Sequence, residues 1–113
     1  FLEFSPRDKT LVVFGVSASK EVAAIAQTVA GRFDHFILTR AHKAGADVGL
    51  FAETFRKHSS DVTLAADTTD AARIAKERAL REGMSVLALG GLFLSAEIQR
   101  AWNGGDPTSL EFL

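Results

Sequence analysis

The 113-residue sequence contains no cysteine. That excludes disulfides and thiolate metal ligands, and it fits a reducing, cytoplasmic compartment. It has no excess charge of either sign. Thirteen basic residues stand against fourteen acidic ones, so no basic stripe exists to track a phosphate backbone or an anionic lipid surface. Neither a nucleic acid nor a membrane is an expected partner. The longest apolar run is five residues, far short of the ~20 needed to span a bilayer, and no charged-then-apolar leader opens the chain. The nucleotide cradles are missing too. Neither G-x-x-x-x-G-K-[ST] nor G-x-G-x-x-G occurs, and no G-x-S-x-G elbow marks a nucleophilic serine.

What is present alternates strand and helix signals. A chain of this size hides roughly two-thirds of its unfolded surface, enough for one domain with a core of its own. The expected domain is 1–113, with an irregular lead-in over 1–9 and a tail over 103–113. "LVVF" at 11–14 is apolar throughout, as expected for a strand covered on both faces. Val22, Ile25, Ala26 and Val29 then recur with helical spacing as far as Gly31. "HFILT" at 35–39 reads as a second strand, and Val48, Phe51 and Phe55 mark a short helix face ending near His58. "VTLAA" at 62–66 reads as a third strand. Asp67, Thr68 or Thr69 caps a helix with the small stripe Ala71, Ile74, Ala75 and Ala79, which Gly83 ends. "SVLAL" at 85–89 is a fourth strand; Leu94, Ile98, Ala101 and Trp102 give a fourth helix its inner face. Four βα units in a row predict a three-layer, Rossmann-like α/β domain: a mostly parallel sheet with helices on both faces.

In such sheets ligands bind where the strands' carboxyl ends meet the βα loops. The candidate loops are therefore Gly15 to Lys20, Arg40 to Asp47, Ala65 to Thr69 and Gly90 to Phe93. Each feature there has two readings. Gly15 and the pair Gly90-Gly91 either serve tight turns or let backbone N–H groups approach an anion. Lys20, at a predicted helix start, is either a solvated lysine or a cation set beside the dipole to attract a carboxylate or phosphate. Arg40, His42 and Lys43 form a small basic loop that is either solvated or in contact with substrate. Phe93, off the helix stripe, either packs under the sheet end or walls a pocket. Asp67 and Asp70 read as a cap and a first-turn acid. His35, His42 and His58 fall on a strand start, a loop and a helix end, a spacing that does not make a metal triad. A phospho-receiver would need an acidic pair after "LVVF", which is absent.

Four stretches, "LVVFGVSASKEV", "FDHFILTRA", "DAARIAKERA" and "VLALGGLFLSAEIQR", resemble the C-terminal domain of folylpolyglutamate synthases and dihydrofolate synthases, in the Mur ligase family. The resemblance spans Thr10 to Trp102. Gly15, Lys20, Gly90, Leu92, Phe93, Leu94, Glu97 and Arg100 match the family pattern. Ser19 and Glu21 stand where aspartates are usual, and Gly91 stands where serine is usual. The loop from Arg40 to Asp47 lacks the usual Arg-Ala before its helix.

The resemblance implies an ATP-dependent carboxylate–amine ligase that adds glutamate to a folate or pteroate carboxylate through an acyl phosphate. It implies no cofactor in this chain itself. ATP and Mg²⁺ belong to a P-loop domain elsewhere in the full-length enzyme, so the chain is expected to be the closing, amino-acid-side module, inactive alone. Lys20 would bind a glutamate carboxylate, with Gly90, Gly91 and Phe93 lining the pocket and Arg40 or His42 assisting. The alternative is a non-catalytic Rossmann-like binding module that kept the scaffold and lost the site.

Overall fold

The fold is taken from a computed structural model that describes residues 9–16, 22–40, 47–89 and 98–103. Four strands, β1 (Thr10–Phe14), β2 (His35–Leu38), β3 (Asp61–Leu64) and β4 (Ser85–Leu89), form one sheet in the order β3-β2-β1-β4. All three pairings are parallel. Parallel neighbours need a crossover between them, and helices supply it: α1 (Val22–Ala30), α2 (Ala52–His58) and α3 (Thr68–Glu82). A 3-10 turn over Val48–Leu50 precedes α2, with the Asp47 carboxylate accepting from the Gly49 N–H at 3.2 Å. Residues 98–102 form a further helical segment.

The alternation of side chains along each strand sorts the core into two layers. On one face Val12, Phe14, Phe36 and Leu38 pack against Ala26 and Ala30 of α1, Ala52 and Phe55 of α2, and Phe33 and Phe51. The rings form a chain: Phe14 lies 5.3 Å from Phe51 and 4.9 Å from Phe55, and Phe36 lies 4.8 Å from Phe55, all tilted or edge-on. On the other face Leu11, Val13 and Ile37 pack against Ala71, Ala72 and Ala75 of α3 and against Ile98. The alanines Ala71, Ala72 and Ala75 on the inner side of α3 let its backbone approach the sheet closely. β1, covered on both sides, is wholly buried.

The ends of α3 follow local rules. Asp67, in extended backbone, accepts from the Asp70 N–H at 2.8 Å, which settles the three-way choice of cap. Gly83 closes the helix in the left-handed region at φ 66°, where a Cβ would be strained. Two expectations need correction. Ile25 is 40% exposed and does not belong to the inner stripe of α1, whose buried positions are Ala26 and Ala30 with Val22 and Val29 partly covered. The ladder of β3 begins at Asp61 and ends at Leu64, earlier at both ends than the apolar run suggests, because Asp61 pairs with His35. Among the described residues no helix is long and apolar enough to cross a membrane.

Candidate functional site

In the order β3-β2-β1-β4, β1 and β4 are neighbours whose continuations part company. Phe14 stands opposite Leu89 in the ladder. Past β1 the chain reaches α1 on the first face; past β4 it reaches the 98–102 helix on the second. Divergence of this kind defines a switch point, and doubly wound sheets hold ligands at the carboxyl rim of such a point. In the sequence, both glycine-bearing stretches follow directly on these strand ends, Gly15 after Phe14 and Gly90 after Leu89.

Backbone hydrogen bonds carry the rim one residue beyond the strands. Gly15 N–H donates to Leu89 O at 3.2 Å, Thr39 N–H to Phe14 O at 2.9 Å, and Ala65 N–H to Leu38 O at 2.9 Å. Alternation sets Ala65, Thr39 and Gly15 on one rung of the face that α3 covers. All three are buried. Thr39 is 0% exposed, and among the described residues its hydroxyl oxygen has no hydrogen-bond partner. Sequence reading missed this group; the hydroxyl that closes the otherwise apolar "FIL" run was the available signal. Arg40 follows on the exposed side of the rim. Of the other predicted contacts, Lys20, His42, Gly90, Gly91 and Phe93 lie outside the described residues.

A polar cluster occupies the opposite, amino-terminal end of the sheet. Register sets His35 beside Asp61, and the His35 Nδ1 lies 2.6 Å from the Asp61 Oδ2. Arg78, from α3, donates to both Asp61 oxygens, at 3.0 Å to Oδ1, and its Nε lies 3.3 Å from Glu82. The Arg78 guanidinium, aided by the His35 hydrogen bond and opposed by burial, holds the Asp61 carboxyl below the usual carboxylate range. Ser59 ties the same corner, its hydroxyl donating to Asp34 O at 2.5 Å and accepting from the Asp61 N–H at 3.0 Å. With Asp61 bonded to both His35 and Arg78, the cluster reads as a clamp joining β2, β3 and α3.

A third feature is a hollow of about 390 Å³ on the α3 face of β4, floored by Val86, Ala88 and Ile98 and rimmed by Gln99, Trp102 and Asn103. Lys76 of α3 reaches one of its rim residues, its Nζ 5.6 Å from the Trp102 ring and donating to the Trp102 carbonyl at 3.2 Å. Among the described residues no group of three His, Asp or Glu side chains could hold a metal ion.

No protein-family model matches the chain. No curated protein and no solved structure matches it either.

Proposed function

We propose that this domain binds a small carboxylate-bearing ligand, glutamate or a similar amino acid, at the β1–β4 switch point, as the closing module of an ATP-dependent carboxylate–amine ligase. One observation carries the reading: the sheet order brings the ends of β1 and β4 side by side while their continuations go to opposite faces. That supports a single crevice served by both "GVSASK" and "GGLF", the two stretches in which the resemblance to folylpolyglutamate synthases is concentrated. Within it Lys20 would supply the cation for a ligand carboxylate. Gly90, Gly91 and Phe93 would offer backbone and an aromatic wall, and Arg40 or His42 would act from the neighbouring loop. The phosphoryl chemistry, with ATP and Mg²⁺, would belong to a partner P-loop domain.

A second reading, a binding module without catalysis, draws on the departures from the family pattern. Gly91 offers no hydroxyl where serine is usual, and Ser19 and Glu21 replace two aspartates. Calorimetry separates the claims. The 113-residue chain should bind L-glutamate, lose about ten- to a hundredfold in affinity on Lys20→Ala, and bind no ATP at micromolar concentration. Micromolar ATP binding, or glutamate binding indifferent to Lys20, contradicts the ligase reading.

A further inference from the structure

The backbone of β4 faces its neighbour and the free side of the sheet in turn. Gly15 N–H donates to Leu89 O, so the polar groups of Leu89, and with them those of Leu87, face β1, while the N–H and C=O of Val86 and Ala88 face away. β4 ends the order β3-β2-β1-β4, and among the described residues nothing pairs with these four outward groups. Free edges are ordinarily protected by charge, proline or a bulge. The other edge has such protection: β3 is four residues long and opens on Asp61, with the Arg78 guanidinium laid against its carboxylate. β4, "SVLAL", has neither a charge nor a proline. Its apolar side chains are only partly buried on both faces, Val86 and Ala88 on the α3 side and Leu87 and Leu89 on the other, whereas β1 beside it is wholly buried. The hollow of about 390 Å³ lies on this same outermost strand.

The strand is complementary to itself. A twofold axis through Leu87 sets β4 antiparallel to β4 of a second copy, the only direction an isologous strand pairing allows. Leu87 then meets Leu87 of the second copy, and Val86 meets its Ala88. Because the outward groups belong to Val86 and Ala88, these form the hydrogen-bonded pairs, each exchanging two N–H···O bonds, and Leu87 forms the closer, non-hydrogen-bonded pair. All four outward groups of each copy are thereby used. On the hollow side a larger valine stands opposite a smaller alanine twice, which suits close packing. Like charges do not meet along the seam, since the strand has none, and the thirteen basic and fourteen acidic residues of the chain leave little net repulsion between copies. We propose that β4 is a homodimer interface: two copies join their four-stranded sheets edge to edge through antiparallel pairing of Ser85–Leu89 centred on Leu87.

The absence of cysteine lets a single introduced thiol report the pairing. At the axis the two Cα atoms lie about 4.5 Å apart, within the span of a disulfide. Leu87→Cys should therefore give a covalent dimer on mild oxidation. Ala88→Cys alone should not, because the two copies of residue 88 lie diagonally, about 7–8 Å apart. Sedimentation of the wild-type chain between about 10 μM and 1 mM should show monomer passing into dimer, as expected of a small interface. Ala88→Pro removes an N–H that serves no bond to β1, so it should stay folded and dimerise about ten- to a hundredfold more weakly. A wild-type chain that stays monomeric to about 1 mM overturns the proposal. Cross-linking of Ala88→Cys as readily as Leu87→Cys overturns it too, since contact is then not in this register. An Ala88→Pro chain that dimerises like wild type places the contact elsewhere, and one that unfolds shows that the Ala88 N–H is paired within the chain; either result contradicts the proposal.

Discussion

Asp61 accepts from His35 on the neighbouring strand and from Arg78 on α3, so one carboxylate ties three elements at the amino-terminal end of the sheet. Because Arg78 holds its pKa below the ordinary carboxylate value, the unfolded chain binds the proton more readily than the folded one. Stability from this group is therefore fully present above the unfolded pKa and is lost as pH falls through the folded one. Asp61→Asn should cost about 1–2 kcal/mol at neutral pH, a value kept modest by the partial exposure of the cluster. Denaturant unfolding as a function of pH checks both points: the variant's loss should shrink on acidification. A loss that grows with acid would mean that Asp61 is stabilised by its protonated form.

At the scale of elements, the 98–102 helix packs on the second face through Ile98, which is 5% exposed and lies with Leu11, Val13 and Met84. Ile98→Ala should cost about 2–4 kcal/mol through lost burial and a residual cavity, and Gln99→Ala, one position along on the exposed side, within about 0.5. Equal unfolding free energies for the two would mean that the helix is rotated from this phase.

The phase of that helix was legible in the spacing of Ile98, Ala101 and Trp102, and so was the all-round burial of "LVVF", because period and apolar content are local properties. Asp67 and Gly83 were legible for the same reason: caps depend on a few adjacent residues. The exposure of Ile25 was not. The inner face of α1 is set by small residues, Ala26 and Ala30, that admit close packing, and apolar spacing alone ranks the larger isoleucine above them. The Asp61 clamp was also hidden, since His35 lies 26 residues and Arg78 17 residues away and only strand register and the return of α3 bring them together.

For the whole molecule the informative quantity is strand order. Sequence alternation yields βαβα but leaves open which strands are neighbours, and the candidate site exists only because β4 crosses back to the far side of β1. The same topology sets the carboxyl rim, with Gly15, Thr39 and Arg40, at one end of the sheet and the His35, Asp61 and Arg78 clamp at the other. A ligand at the switch point must therefore perturb one end and spare the other. The direct measurement is an amide ¹H–¹⁵N correlation spectrum of the chain titrated with L-glutamate. The account predicts saturable shifts at Gly15, Val16, Thr39 and Arg40, joined by Lys20 and Gly90 to Phe93, with His35, Ser59, Asp61 and Ser85 unmoved. Shifts concentrated at His35 and Asp61, or no saturable shift at the carboxyl rim, would contradict it.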